Sequence, residues 1–142
     1  MSYGDSGADL PRWTTDLVSP LDDRLGVVVH EVSARRCVVS APVSGNTQPA
    51  GRWHGGASGV LVETAGSLAA IAHARCDGRA AVGTELSVSH LRSPNGPRVR
   101  ATAAVVHLGR TSATYVVELE DGEGRVCASG RLTCRFVDPA DR

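Results

Sequence analysis

The sequence is poor in aromatic residues and has no lysine. Aromatic residues make up 4% of the 142 positions, and all fifteen basic side chains are arginine. Fifteen acidic side chains balance them, so the formal net charge is zero. A chain without excess positive charge matches neither duplex nucleic acid nor an anionic membrane, and we expect neither as a partner. Arginine itself still suits phosphate groups, because its planar fork pairs with two oxygens at once.

Paired cysteines and long charge-free apolar runs are also missing. The four cysteines show no CxxC spacing; they are Cys37, Cys76, Cys127 and Cys134. His73 and Cys76 have no second cluster of metal ligands in the sequence, so we expect no metal. The N-terminus lacks the apolar core of a signal peptide, and the most apolar stretch carries Glu63. These absences predict a soluble, reduced, cytoplasmic protein without a membrane span.

The length suits one domain that can bury a real core. Residues 1–15 are rich in Ser, Gly, Asp and Thr, and we predict them to be disordered. Residues 16–138 form the single predicted domain. Within it, Leu17 to Leu25 is predicted to carry a short helix that packs as a lid.

One long apolar helix is predicted to begin at Gly55 and Gly56. Aliphatic and small residues follow at helical spacing without proline, namely Val60, Leu61, Ala65, Leu68, Ala69 and Ile71. The helix is predicted to end near Gly78, where glycine can take the left-handed conformation. Because it is apolar on nearly every face, other elements must wrap it.

Six strands are predicted around this helix. Gly26 to Val32 and Arg35 to Val43 indicate a hairpin before it. Four more runs follow it with short turns between them: Ala80 to Arg92, Arg98 to Leu108, Ser112 to Glu120 and Arg125 to Val137. Short turns favour an antiparallel meander. The expected fold class is therefore α+β, with a curled six-stranded antiparallel sheet around one central helix.

Glu63 is the one carboxylate inside the apolar helix. Burying an ionised group without partners costs several kcal/mol. Glu63 therefore lies on an exposed strip, or it has a chemical role. Ser67 follows four residues later, on the same helical face. Ser67 can hold that carboxylate or merely fill a helix of small residues, and His54 before the helix can cap its loop or act chemically.

Four stretches of this sequence resemble the hot-dog-fold acyl-CoA thioesterases. They are TQPAGRWHGGASGVLVETAGSLA, VGTELSVSHLRS, VRATAAVVHLGR and DGEGRVCASGRLT. The similarity is to the PaaI-like branch with 1,4-dihydroxy-2-naphthoyl-CoA thioesterases of menaquinone synthesis, a siderophore-pathway proofreading thioesterase and one type of 4-hydroxybenzoyl-CoA thioesterase. The spacing of Gln48, His54, Glu63 and Ser67 carries the resemblance, and glutamate at 63 favours this branch over those with aspartate.

The resemblance implies a role for each motif residue. Gln48 and the backbone amide of Gly55 would polarise the thioester carbonyl, and His54 would position the loop and the substrate. Glu63 would attack the carbonyl or activate water, and Ser67 would hold the carboxylate or the water. A helix N-terminus does offer unpaired N–H groups and partial positive charge to an oxyanion.

The resemblance also implies residues that hold the CoA half of the substrate. These are Val82, Gly83, Ser89, His90, Arg92, His107, Gly109 and Arg110. Arg92 and Arg110 would bind CoA phosphates, because a guanidinium pairs two oxygens; the alternative is that they are exposed arginines at strand ends. No cofactor is expected beyond the CoA of the substrate.

Helix length gives an independent expectation about assembly. Gly55 and Glu63 lie about 12 Å apart at 1.5 Å rise per residue. A nucleophile must come within about 3 to 3.5 Å of its carbonyl, so both cannot easily serve one substrate. We therefore expect a homodimer in which Gly55 and Gln48 of one chain meet Glu63 and Ser67 of the other, and the resemblance implies a homotetramer of such dimers.

The sequence thus predicts an enzyme that hydrolyses an aromatic acyl-CoA, with 1,4-dihydroxy-2-naphthoyl-CoA as the expected substrate. A broad-specificity or proofreading acyl-CoA or acyl-carrier thioesterase is the first alternative. A hot-dog dehydratase fits the positions of Gln48 and Ser67 less well. A non-catalytic acyl-CoA-binding domain would keep the arginines without needing Glu63.

Overall fold

The computed structural model describes residues 8–141, and residues 1–7 and 142 lie outside the description. Two helices and six strands follow one another as α1 (Pro20–Leu25), β1 (Val28–Val32), β2 (Arg36–Pro42), α2 (Gly55–Ala74), β3 (Ala80–His90), β4 (Arg98–Leu108), β5 (Ser112–Glu120) and β6 (Val126–Val137). The expected α+β class with six strands and one long helix is confirmed.

Helix α2 is the centre of the core. Its residues Leu61, Val62 and Ala65 are completely buried against the sheet. Small residues allow the close approach: a Cβ added to Gly66 would lie 2.5 Å from Cδ2 of Leu132 on β6. The segment Gly55–Asp77 is long and apolar enough to cross a membrane by length and composition, but 56% of its most apolar 18-residue stretch is buried inside the fold. Its apolar surface therefore serves the core.

The sheet is antiparallel throughout, in the order β1-β2-β4-β5-β6-β3. The predicted hairpin of β1 and β2 is present, and β4, β5 and β6 form a meander. The prediction that β3 joins this meander next to β4 is wrong, because β3 pairs with β6 instead.

The connection after β3 explains the crossover. Leu91 donates its N–H to the carbonyl oxygen of Cys127, near the start of β6. The carbonyl oxygen of Asn95 then accepts a hydrogen bond from the N–H of Gly122 in the β5–β6 turn. The N–H of Asn95 donates to the carboxylate of Asp121. The chain is thus tied across the ends of β5 and β6 before it enters β4. As a result β3 becomes an edge strand of the sheet.

The described structure before β1 starts at residue 8 and so includes residues 8–15 of the predicted disordered segment. Arg12–Asp16 forms a 3₁₀ turn in which Thr14 is completely buried. The rest of the predicted disordered segment, residues 1–7, lies outside the described residues. Helix α1 is the short helix predicted after Leu17; Ser19 caps it, and Gly26 ends it in the left-handed conformation. We call residues 12–22 the N-terminal strap.

Candidate active site

The carboxylate of Glu63 is half-buried between α2 and β3. The hydroxyl of Ser67 donates a 2.9 Å hydrogen bond to Oε1 of Glu63. On the other side the carboxylate lies against Gly83, where an added Cβ would be 2.6 Å from Oε1. Glu63 therefore does not lie on an exposed strip, because a helix neighbour and a strand glycine hold its carboxylate.

Cys134 lies behind this carboxylate, and the sequence analysis did not single it out. Cys134 pairs with Gly83 across β6 and β3, so both residues present the same face of the sheet to α2. Burial raises the pKa of the Cys134 thiol to about 11; the Glu63 carboxylate adds to this rise, and a hydrogen bond with Ser67 opposes it. The thiol is therefore protonated and inert at neutral pH, and it forms part of the packing behind Ser67.

The N-terminus of α2 forms a second polar centre. Nδ1 of His54 accepts the N–H of Gly56 at 2.8 Å and caps the helix. The N–H of Ala57 bonds to the carbonyl oxygen of His54. Within residues 8–141, the N–H of Gly55 remains for a ligand. Since Nδ1 accepts, the proton of a neutral His54 ring is on Nε2, and His54 shapes the helix start.

The loop before α2 positions Gln48 next to this helix start. Oε1 of Gln48 accepts the N–H of Ala50 at 2.7 Å, which leaves the amide NH₂ end free to donate to another group. Asn46 anchors the loop, since it donates to the carbonyl oxygens of Leu25 and Pro42 at 2.7 and 2.8 Å. Trp53 is buried, and its indole N–H bonds to Ser58 at 2.8 Å. The loop is therefore fixed at both ends.

His90, at the end of β3, completes this centre. A Cβ on Gly55 would lie 2.9 Å from Cε1 of His90, so only glycine lets the imidazole approach the helix start. Gln48, Gly55, His90 and Arg92 all line one cleft of about 450 Å³. The structure thus brings together the expected carbonyl-polarising groups and one expected phosphate ligand. This centre is the α2-start cleft.

The other half of the expected site opens elsewhere on the chain. Two grooves of about 280 and 490 Å³ flank Glu63, and neither shares a residue with the α2-start cleft. Glu63 and Gly55 are separated by about 12 Å of helix. On one chain the expected site residues therefore lie in two separate places, which we call the two half-sites of the expected site.

The expected CoA-binding residues also divide into two groups. Ser89, His90 and Arg92 lie at or just beyond the end of β3, whereas Gly109 and Arg110 belong to the β4–β5 turn. That turn is beside the start of β3, where Arg79 donates to the carbonyl oxygen of Arg110. Strand β3 has eleven residues, so its two ends lie roughly 33 Å apart at about 3.3 Å per residue. The remaining expected residues are Val82 and Gly83 on β3 and His107, whose ring lies over Gly109.

Metal ligands do not cluster in the described part of the chain. Among residues 8–141, no group of three or more His, Cys, Asp or Glu side chains could hold a metal ion.

Comparison with known proteins gives a consistent assignment. The profile of the thioesterase superfamily matches residues 50–128. The proofreading thioesterase EntH of Cronobacter sakazakii is 38% identical over 121 residues, which cover 84% of this chain and 88% of EntH.

Solved structures agree. A variant of thioesterase PA1618 from Pseudomonas aeruginosa superposes with a TM-score of 0.77 at 35% identity and covers 82% of this chain and 85% of that one. A variant of the phenylacetic acid degradation protein PaaI from Thermus thermophilus superposes with a TM-score of 0.73 at 29% identity. The match covers 82% of this chain and 98% of the PaaI chain.

The fold is that of a hot-dog thioester hydrolase. The chain belongs to the thioesterase superfamily, and its activity is the hydrolysis of acyl thioesters.

Proposed function

We propose that this enzyme hydrolyses an aromatic acyl-CoA, with 1,4-dihydroxy-2-naphthoyl-CoA of menaquinone synthesis as its substrate, in the cytoplasm and without a cofactor. The carboxylate of Glu63, held by Ser67 and flanked by two grooves, carries this proposal. The groove residues Leu17, Leu68 and Leu86 offer apolar surface to an aromatic acyl group. Similarity to PaaI, whose name refers to phenylacetic acid, also supports an aromatic substrate.

A homodimer would unite the two half-sites. Edge strands such as β3 present unpaired N–H and C=O groups, and a second copy can pair with them. Within one chain Glu63 lies over Gly83, and Gly55 lies against His90. If two β3 strands pair antiparallel with the two-fold axis between residues 86 and 87, Gly83 faces the partner's His90. Glu63 then meets the partner's Gly55.

The same pairing would bring the expected phosphate ligands together. Ala80, at the start of β3, would face the partner's Ser93, next to the partner's Arg92. The β4–β5 turn with Arg110 lies at this end of the chain. Arg92 of one chain and Arg110 of the other would therefore flank one CoA. Assembly into a homotetramer belongs to the same proposal, so native mass should be two or four times the chain mass of 14.8 kDa.

The proposed chemistry is the addition of water to the thioester carbonyl. Glu63 removes a proton from water while the oxygen bonds to the carbonyl carbon. The oxyanion receives hydrogen bonds from the N–H of Gly55 and the amide of Gln48. The C–S bond then breaks, the acid is released, and the CoA thiolate takes up the proton. Direct attack by Glu63, with an anhydride intermediate that water opens, uses the same groups.

A second candidate substrate class is the acyl group on a carrier protein. EntH, which is named a proofreading thioesterase, supports it. A carrier thioester has the pantetheine arm without the CoA nucleotide, so it would not need Arg92 or Arg110.

Free-thiol release from a panel of thioesters tests the proposal. The panel should contain a dihydroxynaphthoyl, a benzoyl, a phenylacetyl and a decanoyl thioester, each on CoA and on a carrier protein. We expect the largest kcat/KM for the naphthoyl-CoA, and Glu63→Gln should lower kcat by orders of magnitude with KM little changed. A carrier thioester or decanoyl-CoA as the best substrate would overturn the proposed substrate, and near-normal turnover by Glu63→Gln would overturn the mechanism.

A further inference from the structure

The N-terminal strap contacts α2 and the residue that directly follows it at two points. At one end the guanidinium of Arg75 lies 4.7 Å from the ring centroid of Trp13. At the other end the hydroxyl of Thr64 donates a 2.8 Å hydrogen bond to the buried carboxylate of Asp22. Thr64 is the residue next to Glu63. The part of the strap between these two contacts is therefore held along the helix face that carries the reacting carboxylate.

Between these two contacts, apolar side chains of the strap line a groove. Leu17 and Val18 form one wall of the 280 Å³ groove, and Leu68 and Ile71 of α2 form the other. Glu63 and Ser67 also line this groove. Val18 is 71% exposed and therefore contributes little to the core. An apolar side chain that the fold does not bury, next to a catalytic carboxylate, is suited to contact an apolar substrate group.

The chemistry of the groove distinguishes the acyl group from the CoA nucleotide. A nucleotide needs cations near its phosphates. No cationic side chain lines this groove in the described part of the chain. The groove is also smaller than a site for a whole CoA thioester, since even drug-sized ligands take about 300 to 1,000 Å³. A separate cavity of about 410 Å³ shares Leu17 and Ile71 with the groove, and Arg75 and Arg79 line that cavity instead.

We propose that the N-terminal strap is the outer wall of the acyl site and that Leu17 and Val18 determine which acyl groups are accepted. The inference rests on the proposed function, because it assigns the groove to the acyl half of that substrate. The thioester carbonyl lies at Glu63, and the acyl group extends along α2 between the strap and Leu68. Short acyl groups end before Val18, whereas a bicyclic ring reaches it.

A filling substitution at Val18 tests this assignment. Val18→Trp narrows the groove, and its exposed position tolerates a larger side chain without loss of folding. The matched control is Val106→Trp, since Val106 is 64% exposed on β4 and lines none of these grooves. Two non-hydrolysable CoA ketone analogues serve as probes, one with a naphthyl group and one with a propyl group, and calorimetry gives Kd for each.

We expect Val18→Trp to weaken binding of the naphthyl analogue by about tenfold or more and to change Kd of the propyl analogue less than about twofold. Leu17→Ala should also weaken the naphthyl analogue selectively, because it removes apolar contact. Val106→Trp should change neither. Equal effects of Val18→Trp on both analogues, or no effect, would overturn the proposal. Because binding is measured separately from turnover, selective binding without hydrolysis would refute the proposed function and leave the wall assignment standing.

Discussion

Gly83 lies directly against the carboxylate of Glu63. A Cβ at position 83 would be 2.6 Å from Oε1 and 3.2 Å from Oε2 of that side chain. Real Cβ atoms do not approach an oxygen so closely, and the contact is with the carboxylate that we propose as the reacting group. Glycine at 83 is therefore a steric requirement for the position of the carboxylate.

Gly83→Ala should lower kcat by at least about tenfold, because the added methyl displaces the carboxylate from its bond with Ser67. The fold should survive, since position 83 is exposed. The measurement is steady-state kinetics, with thermal unfolding to check the fold. Glu63→Asp provides the control, because the shorter aspartate side chain withdraws from position 83. The loss of activity caused by Glu63→Asp should therefore be smaller in the Gly83→Ala variant than in wild type. Strict additivity of the two losses would contradict the steric explanation.

The proposal of a shared active site predicts a definite recovery of activity in mixed dimers. Glu63→Ala and Gln48→Ala chains should each be nearly inactive. In a mixed dimer one site receives both intact halves, and the other receives both defects. Random mixing makes half of the dimers mixed and half of their sites intact, so activity should return to roughly a quarter of wild type. If mass spectrometry verifies exchange and activity stays at the parental level, each chain carries its own site.

The two proposed phosphate ligands should affect only substrates that carry the CoA nucleotide. Arg92→Ala and Arg110→Ala should each raise KM for acyl-CoA by roughly tenfold, because a hydrogen bond between two charged groups is lost. KM for an acyl-pantetheine thioester should not change. Arg100→Ala, an exposed arginine elsewhere on β4, is the matched control. Equal losses on both substrates would mean that Arg92 and Arg110 have a structural role.

Asp121 should make stability depend on pH in the acid range. Burial alone would raise its pKa, but hydrogen bonds from the N–H groups of Asn95, Arg125 and Glu123 and from the Arg125 guanidinium lower it well below the ordinary value of 3.8. A carboxyl with a depressed folded-state pKa stabilises the fold above its unfolded pKa, and this contribution is lost as pH falls toward the folded pKa.

Asp121→Asn tests this pH dependence, because it removes the charge and keeps a side chain of similar size. Its Tm should be below that of wild type at pH 7, and the gap should narrow as pH falls from about 4 to 2. Thermal unfolding followed by circular dichroism gives both values. A gap of constant size from pH 7 to pH 2 would show that the charge of Asp121 does not contribute.

Local patterns in the sequence were sufficient for the secondary structure. The run after Gly55 has helical spacing without proline, and the predicted α2 begins at that residue. The last strand alternates apolar and polar residues, and Leu132, Cys134 and Phe136 are indeed buried while Arg131 and Arg135 are exposed. These signals are local, because each depends on residues only a few positions apart.

The partner of β3 could not be predicted in this way. A short loop with Pro94, Gly96 and Pro97 is compatible with a hairpin to β4 and with a crossover. Contacts of Asn95 with the β5–β6 turn decide in favour of the crossover. Those contacts join residues more than twenty positions apart, and no local pattern contains them.

The sequence by itself determined the helix, the strands, and the pairing of Glu63 with Ser67, because spacing along one chain segment fixes which side chains share a helix face. Gln48 and His54 were singled out by the resemblance to a family. Only the tertiary structure decided what surrounds Glu63. Gly83, Cys134 and the strap residue Leu17 come from three distant segments; pairing of β3 with β6 brings the first two to the carboxylate, and packing of the strap on α2 adds Leu17 to its groove. Side-chain contacts across such distances depend on strand order and packing, which are properties of the whole fold.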